Sequence, residues 1–129
     1  MSRGEAFSAS QRHDIDRGIS EAERLSGRVF SVYVGPADGP TRAFAQHLHG
    51  QLANPDLALL IFVDPQARAL EVVTGSQVAQ NLSNRQVALA CLSMQSSFAA
   101  GDLTRGLLSG LQQLAEFARP ETLLHADTP

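Results

Sequence analysis

Leu57 to Val63 is an unbroken apolar run of strand length, and it constrains this chain more than any other feature. A strand with apolar side chains on both faces has to be covered on both faces. The chain must therefore supply helices on either side, and apolar residues do recur at helical spacing around the run. Ser8 followed by Gln11 fits a capping box, with Ile15, Ile19 and Ala22 on one stripe and Gly27 as the stop. Val29 to Val34 reads as a strand with Phe30, Val32 and Val34 on one face, closed by the turn-rich Gly35 to Pro40. Thr41 is expected to cap a second helix carrying Phe44, Ala45, Leu48 and Leu52, ended by Asn54-Pro55.

Beyond the central run, Asp64 to Arg68 reads as a short hairpin connection into the strand Ala69 to Thr74, where Glu71 predicts a less buried strand than its partner. A short irregular or helical stretch follows Thr74-Gly75. Ser83 then caps a helix with Val87, Ala90, Cys91, Met94 and Phe98, which ends at Gly101. Asp102 caps the last helix, with Leu103, Leu107, Leu111, Leu114 and Ala118 on one face, and Pro120 stops it. The order is α-β-α-β-β-α-α. A helical crossover makes the first two strands parallel, and the hairpin returns the third antiparallel. The expected class is α/β, a small mixed sheet flanked by helices, in one domain over residues 1–129 with 1–6 and 120–129 as flanking tails.

Composition removes several functions. A hydrophobic share of 43% is too high for a disordered chain. A net charge of -3 without an Arg cluster leaves no electrostatic footprint for nucleic acid or an anionic membrane. One cysteine excludes an internal disulfide and any Cys-based zinc site. The opening Met1 to Glu5 lacks a secretory pattern and no run is long enough to span a bilayer, so the expected location is cytoplasmic.

Read in order, several segments resemble the TPM domain, the thylakoid acid-phosphatase-like family, and more closely its small actinobacterial branch of unknown function, the DUF5130 type. They are Phe7-Ser8 with Ile19, Ala22, Glu23 and Gly27; Asn54 to Val63; Arg68 with Glu71 to Gly75; and Phe98 with Gly101-Asp102-Leu103 and Gly106-Leu107. The resemblance covers nearly the whole chain. It implies a three-layer α/β/α Rossmann-like sandwich, and it is similar to modules described as acid phosphatases or as calcium binders through acidic loops. The chain departs from the wider pattern at Pro55-Asp56, where Asn-Gly is usual, and it lacks the acidic residue before the first helix.

The residues themselves offer one arrangement with geometry in it. If the first two strands are parallel, their C-terminal ends share a sheet edge, where open α/β sheets bind ligands. The Gly35 to Pro40 loop, the Asp64 to Arg68 hairpin and the Gly101-Asp102 turn should all arrive there. Asp38, Asp64 and Asp102 would then converge as hard oxygen ligands of the kind calcium or magnesium prefers. Each also has a sufficient local role, as turn residue, hairpin start and helix cap. Among the histidines, His47 and His49 project to different sides of one helix, and His13 and His125 lie near opposite ends of the chain, which predicts solvated surface residues. Cys91 reads as a buried structural thiol and Thr74-Gly75 as a strand-end turn needing a positive φ.

With no nucleophile–base pair, cofactor fingerprint or complete metal motif, the chain reads as a non-catalytic interaction or ligand-binding module. The alternative, which the resemblance implies, is a divalent-metal-dependent acid-phosphatase-like hydrolase, with Asp38, Asp64 and Asp102 holding Ca2+ or Mg2+ and Arg68 steadying the phosphate. A further expectation concerns partners. Leu108 falls at the margin of the last helix's stripe and, with Leu123 and Leu124, would form an apolar patch for an unknown protein partner or weak self-association, unless the tail folds back over it.

Overall fold

The computed structural model describes residues 7–120. Its first helix, α1, spans Ala9–Ser26 and starts from a reciprocal capping box: Ser8 Oγ accepts the Gln11 N–H at 3.1 Å and Gln11 Oε1 accepts the Ser8 N–H at 2.9 Å. Gly27 closes it in the left-handed region, with its N–H on the Glu23 carbonyl at 2.8 Å. Strand β1 is Val29–Val34, β2 is Ala58–Asp64 and β3 is Ala69–Thr74. They lie in the order β1-β2-β3, with β1 parallel and β3 antiparallel to the central β2.

The apolar run sits where its composition demands, with Ala58 to Val63 all buried. Leu60 and Phe62 face helix α2, Thr41–Gly50, and pack with its Ala45. Leu59, Ile61 and Val63 face the opposite layer. That layer holds α1, α3 (Asn84–Ala99) and α4 (Leu103–Phe117), with α4 packed between the other two. A small α/β sandwich is the result, in the predicted element order. Glu71 behaves as its charge predicts: it stays partly exposed on β3 and takes a 3.0 Å ion pair from Arg42 of α2, whose Nη1 also donates to the Val72 carbonyl at 3.1 Å.

Three local expectations need correction. Thr41 does not cap α2. Pro40 occupies the cap position at φ -59°, ψ 135°, so Thr41 is already the first helical residue and no side chain accepts the first-turn N–H groups. The central strand starts at Ala58, because Asn54 turns the chain at φ 52° into a 3₁₀ turn over Pro55–Leu57 that takes up Leu57. Gly75 has no positive φ; glycine is required there for close approach, since a Cβ would lie 2.0 Å from the Pro55 carbonyl oxygen. Among the described residues no helix is long and apolar enough to cross a membrane.

Candidate functional site

The C-terminal edge of the sheet is shaped by two turns. In the first, the Asp64 carboxylate caps its own hairpin: Oδ1 accepts the N–H groups of Gln66 and Ala67, each at 3.2 Å. The Arg68 N–H returns to the Pro65 carbonyl at 3.3 Å, and Arg68 itself sits at φ 54°, a region that disfavours a side chain. In the second, Gly101 at φ 87° turns α3 into α4, with the Asp102 N–H on the Ser97 carbonyl at 3.0 Å. Asp102 then caps α4 through Oδ1 to the Arg105 N–H at 3.0 Å and Oδ2 to Arg105 Nε at 3.1 Å. The N–H bond, and secondarily the guanidinium, holds this carboxyl below its ordinary pKa, although partial desolvation acts the other way.

Between the two turns lies a cleft of about 480 Å³. Val63, Pro65, Leu70, Phe98 and Leu103 make its walls apolar, while Asp64, Arg68 and Gln95 supply polar groups. Phe98 can serve as a wall because it lies against Gly106 of α4, where a Cβ would come within 2.5 Å of the ring. Among the described residues the Arg68 guanidinium has neither an ion-pair nor a hydrogen-bond partner. The arrangement is a largely apolar hollow bordered by a basic side chain without a partner among the described residues, which suits binding of an organic molecule.

The topology carries the hairpin and the Gly101-Asp102 turn to one edge, as the parallel pairing of the first two strands predicts. It does not gather the three aspartates there. Asp64 lines the cleft, Asp102 lies in the bordering turn with its carboxylate on Arg105, and exposed Asp38 is not among the lining residues. Among the described residues no group of three or more His, Cys, Asp or Glu is placed to hold a metal ion such as calcium or magnesium. The physical reason is local: the Asx turn and the helix cap already engage Asp64 and Asp102.

His49 corrects the expectation of surface histidines. It is buried, with Nε2 2.9 Å from the Ala58 carbonyl, so Nε2–H donates to the start of β2. The signal was its spacing of four from Ala45, which is wholly buried on the same helix face. His13 and His47 are exposed, and His125 lies outside the described residues. Cys91 is half-buried, and burial, aided by Glu71 and opposed by Arg42, pushes its thiol pKa up, away from nucleophilic character. Leu108 is half-buried against α1, close enough that a Cβ on Gly18 would lie 2.9 Å from its Cδ2. Leu123 and Leu124 lie outside the described residues. Gln95 and the outward part of Phe98 are cleft residues that helical periodicity alone does not reveal.

Similar folds occur among solved structures. The NMR structure of the BA42 protein from Bizionia argentinensis superposes with a TM-score of 0.76 at 15% identity, covering 87% of this chain and 81% of that one. The N-terminal domain of the cg2496 protein from Corynebacterium glutamicum gives 0.67 at 16% identity, covering 87% and 74%. These likenesses establish the fold. In sequence, the uncharacterized protein Rv2468c of Mycobacterium tuberculosis is 31% identical over 106 residues, 82% of this chain and 64% of the relative. The uncharacterized protein MT2543 from another strain of that species matches to the same extent, so the chain spans less than two thirds of the curated relatives it matches. Residues 1–115 match the family described as a domain of unknown function, DUF5130, and the chain belongs to that family.

Proposed function

We propose that this domain is a non-catalytic ligand-binding module and that the cleft between the β2–β3 hairpin and the α3–α4 turn is its site. One observation carries this reading: a largely apolar hollow of about 480 Å³ is lined in part by Arg68, whose guanidinium no carboxylate of the described residues engages. That volume falls within the range of small-molecule sites. A place within the wider TPM group belongs to the same proposal and is supported by the layered α/β/α arrangement. A metal-assisted phosphatase would need the carboxylates that serve the Asx turn and the α4 cap here.

Arg68 offers a direct test because its backbone and side chain pull in opposite directions. A left-handed φ costs an L-residue about 1–2 kcal/mol, and glycine's greater unfolded freedom returns part of that when it is substituted. Arg68→Gly is therefore expected to be about 0.5–1 kcal/mol more stable in urea unfolding. The same variant is expected to bind 8-anilinonaphthalene-1-sulfonate, a probe with apolar rings and one anionic group, about fivefold more weakly or worse. A gain in stability with unchanged probe affinity would remove Arg68 from the site.

A further inference from the structure

Taking the cleft as a ligand site, as proposed above, we infer that its ligand class is a zwitterion with an apolar body, a free apolar amino acid or short apolar peptide whose ammonium meets Asp64 and whose carboxylate meets Arg68. Both residues line the same cavity, four positions apart on one hairpin. They do not pair with each other. Within the turn, Asp64 Oδ1 is tethered by the N–H groups of Gln66 and Ala67, and Arg68 leaves it from a left-handed backbone. Asp64 Oδ2 and the Arg68 guanidinium are thereby left without protein partners among the described residues.

A site with one charge of each sign holds a lone anion or a lone cation less tightly than a molecule carrying both, because whichever charge it attracts is repelled by the neighbouring group. A molecule carrying both charges a few ångströms apart gains at both poles. The walls then specify the rest of the molecule. Val63, Leu70, Phe98 and Leu103 line the same cavity with hydrocarbon, and Gln95 adds an amide that can donate to or accept from a peptide group. Free amino acids and short peptides with large apolar side chains combine these features.

The test is an NMR titration of the intact chain, following the amide and side-chain signals of Leu70, Phe98 and Leu103. The probes are phenylalanine, leucyl-phenylalanine, the N-acetyl and the C-terminal amide forms of that dipeptide, and the doubly capped peptide. Saturable shifts at the cleft are expected for a zwitterion, phenylalanine and the dipeptide separating free amino acid from peptide as its source. Each single cap is expected to weaken the dipeptide, or the corresponding phenylalanine derivative if that binds better, by about tenfold. Arg68→Gln should erase the effect of amidation, and Asp64→Asn, which retains an Oδ1 acceptor for the turn, should erase the effect of acetylation. The capping series on the unmodified protein needs neither variant to fold.

Equal binding of capped and uncapped forms, or tighter binding after acetylation, would overturn the zwitterion while leaving the cleft a ligand site. Silence toward every zwitterion with 8-anilinonaphthalene-1-sulfonate still perturbing the cleft would do the same. Silence toward that probe as well would overturn the cleft reading itself.

Discussion

Phe62→Ala is expected to destabilise the protein by about 3–5 kcal/mol, a range typical of fully buried phenylalanines. Phe62 is wholly inaccessible and lies at the centre of the smaller core. Its ring stacks on Tyr33 at 5.3 Å between centroids and meets Phe44 edge-on at 5.8 Å. The other buried members of that core are Ala45, Leu60 and Val73, so truncation removes the largest side chain from a small group. Helix α2 is the layer that covers this face, and a cavity there loosens its seat. Urea unfolding measures the cost. A loss below about 1 kcal/mol would mean that the face collapses around the truncation and that α2 is held by other contacts.

Gly75→Ala is expected to cost about 3 kcal/mol, at the upper end for overpacking. The added Cβ would sit 2.0 Å from the Pro55 carbonyl oxygen and 2.4 Å from that of Asp56. Both obstacles are backbone and cannot rotate away. Relief would require moving the 3₁₀ turn from the end of β3, which strains the Gly75 N–H bond to the Ala58 carbonyl at 2.9 Å and the Gln77 N–H bond to the Asp56 carbonyl at 2.9 Å. Gly50→Ala is the matched control. It ends a helix, has no positive φ and has no atom within 4 Å of the new Cβ, so it should be neutral or stabilising by up to about 1 kcal/mol. Similar unfolding midpoints for the two variants would contradict the close-approach explanation.

Much of the fold was legible because its signals are short-range. The Leu57 to Val63 run demanded a strand covered on both faces; Ser8, Ser83 and Asp102 announced helix starts that the structure caps with those side chains. Strand directions followed from the helical crossover and the hairpin, and they carried the hairpin and the Gly101-Asp102 turn to a common edge. What remained hidden depends on distances between elements. Phe98, a wall of the cleft, lies against Gly106, a helix-to-helix contact with no imprint on either helix's own periodicity. Asp38 was expected to join Asp64 because both follow strands on the same edge, but strand ends do not specify where a six-residue loop carries a side chain. Thr41 and Gly75 had plausible local roles that Pro40 and the neighbouring Pro55 carbonyl displaced.

Whether the cleft at this edge binds a small molecule is decided by mapping 8-anilinonaphthalene-1-sulfonate by NMR on the intact chain and on Ala99→Trp. Ala99 is an exposed cleft residue near the end of α3, so an indole there fills the hollow without entering the core. Saturable shifts centred on Leu70, Phe98 and Leu103 are expected in the unmodified protein and are expected to be lost in the variant, with the remaining spectrum unchanged. Shifts centred instead on Leu89 and Leu92, exposed on α3, or equal binding by the filled variant, would contradict binding at the cleft.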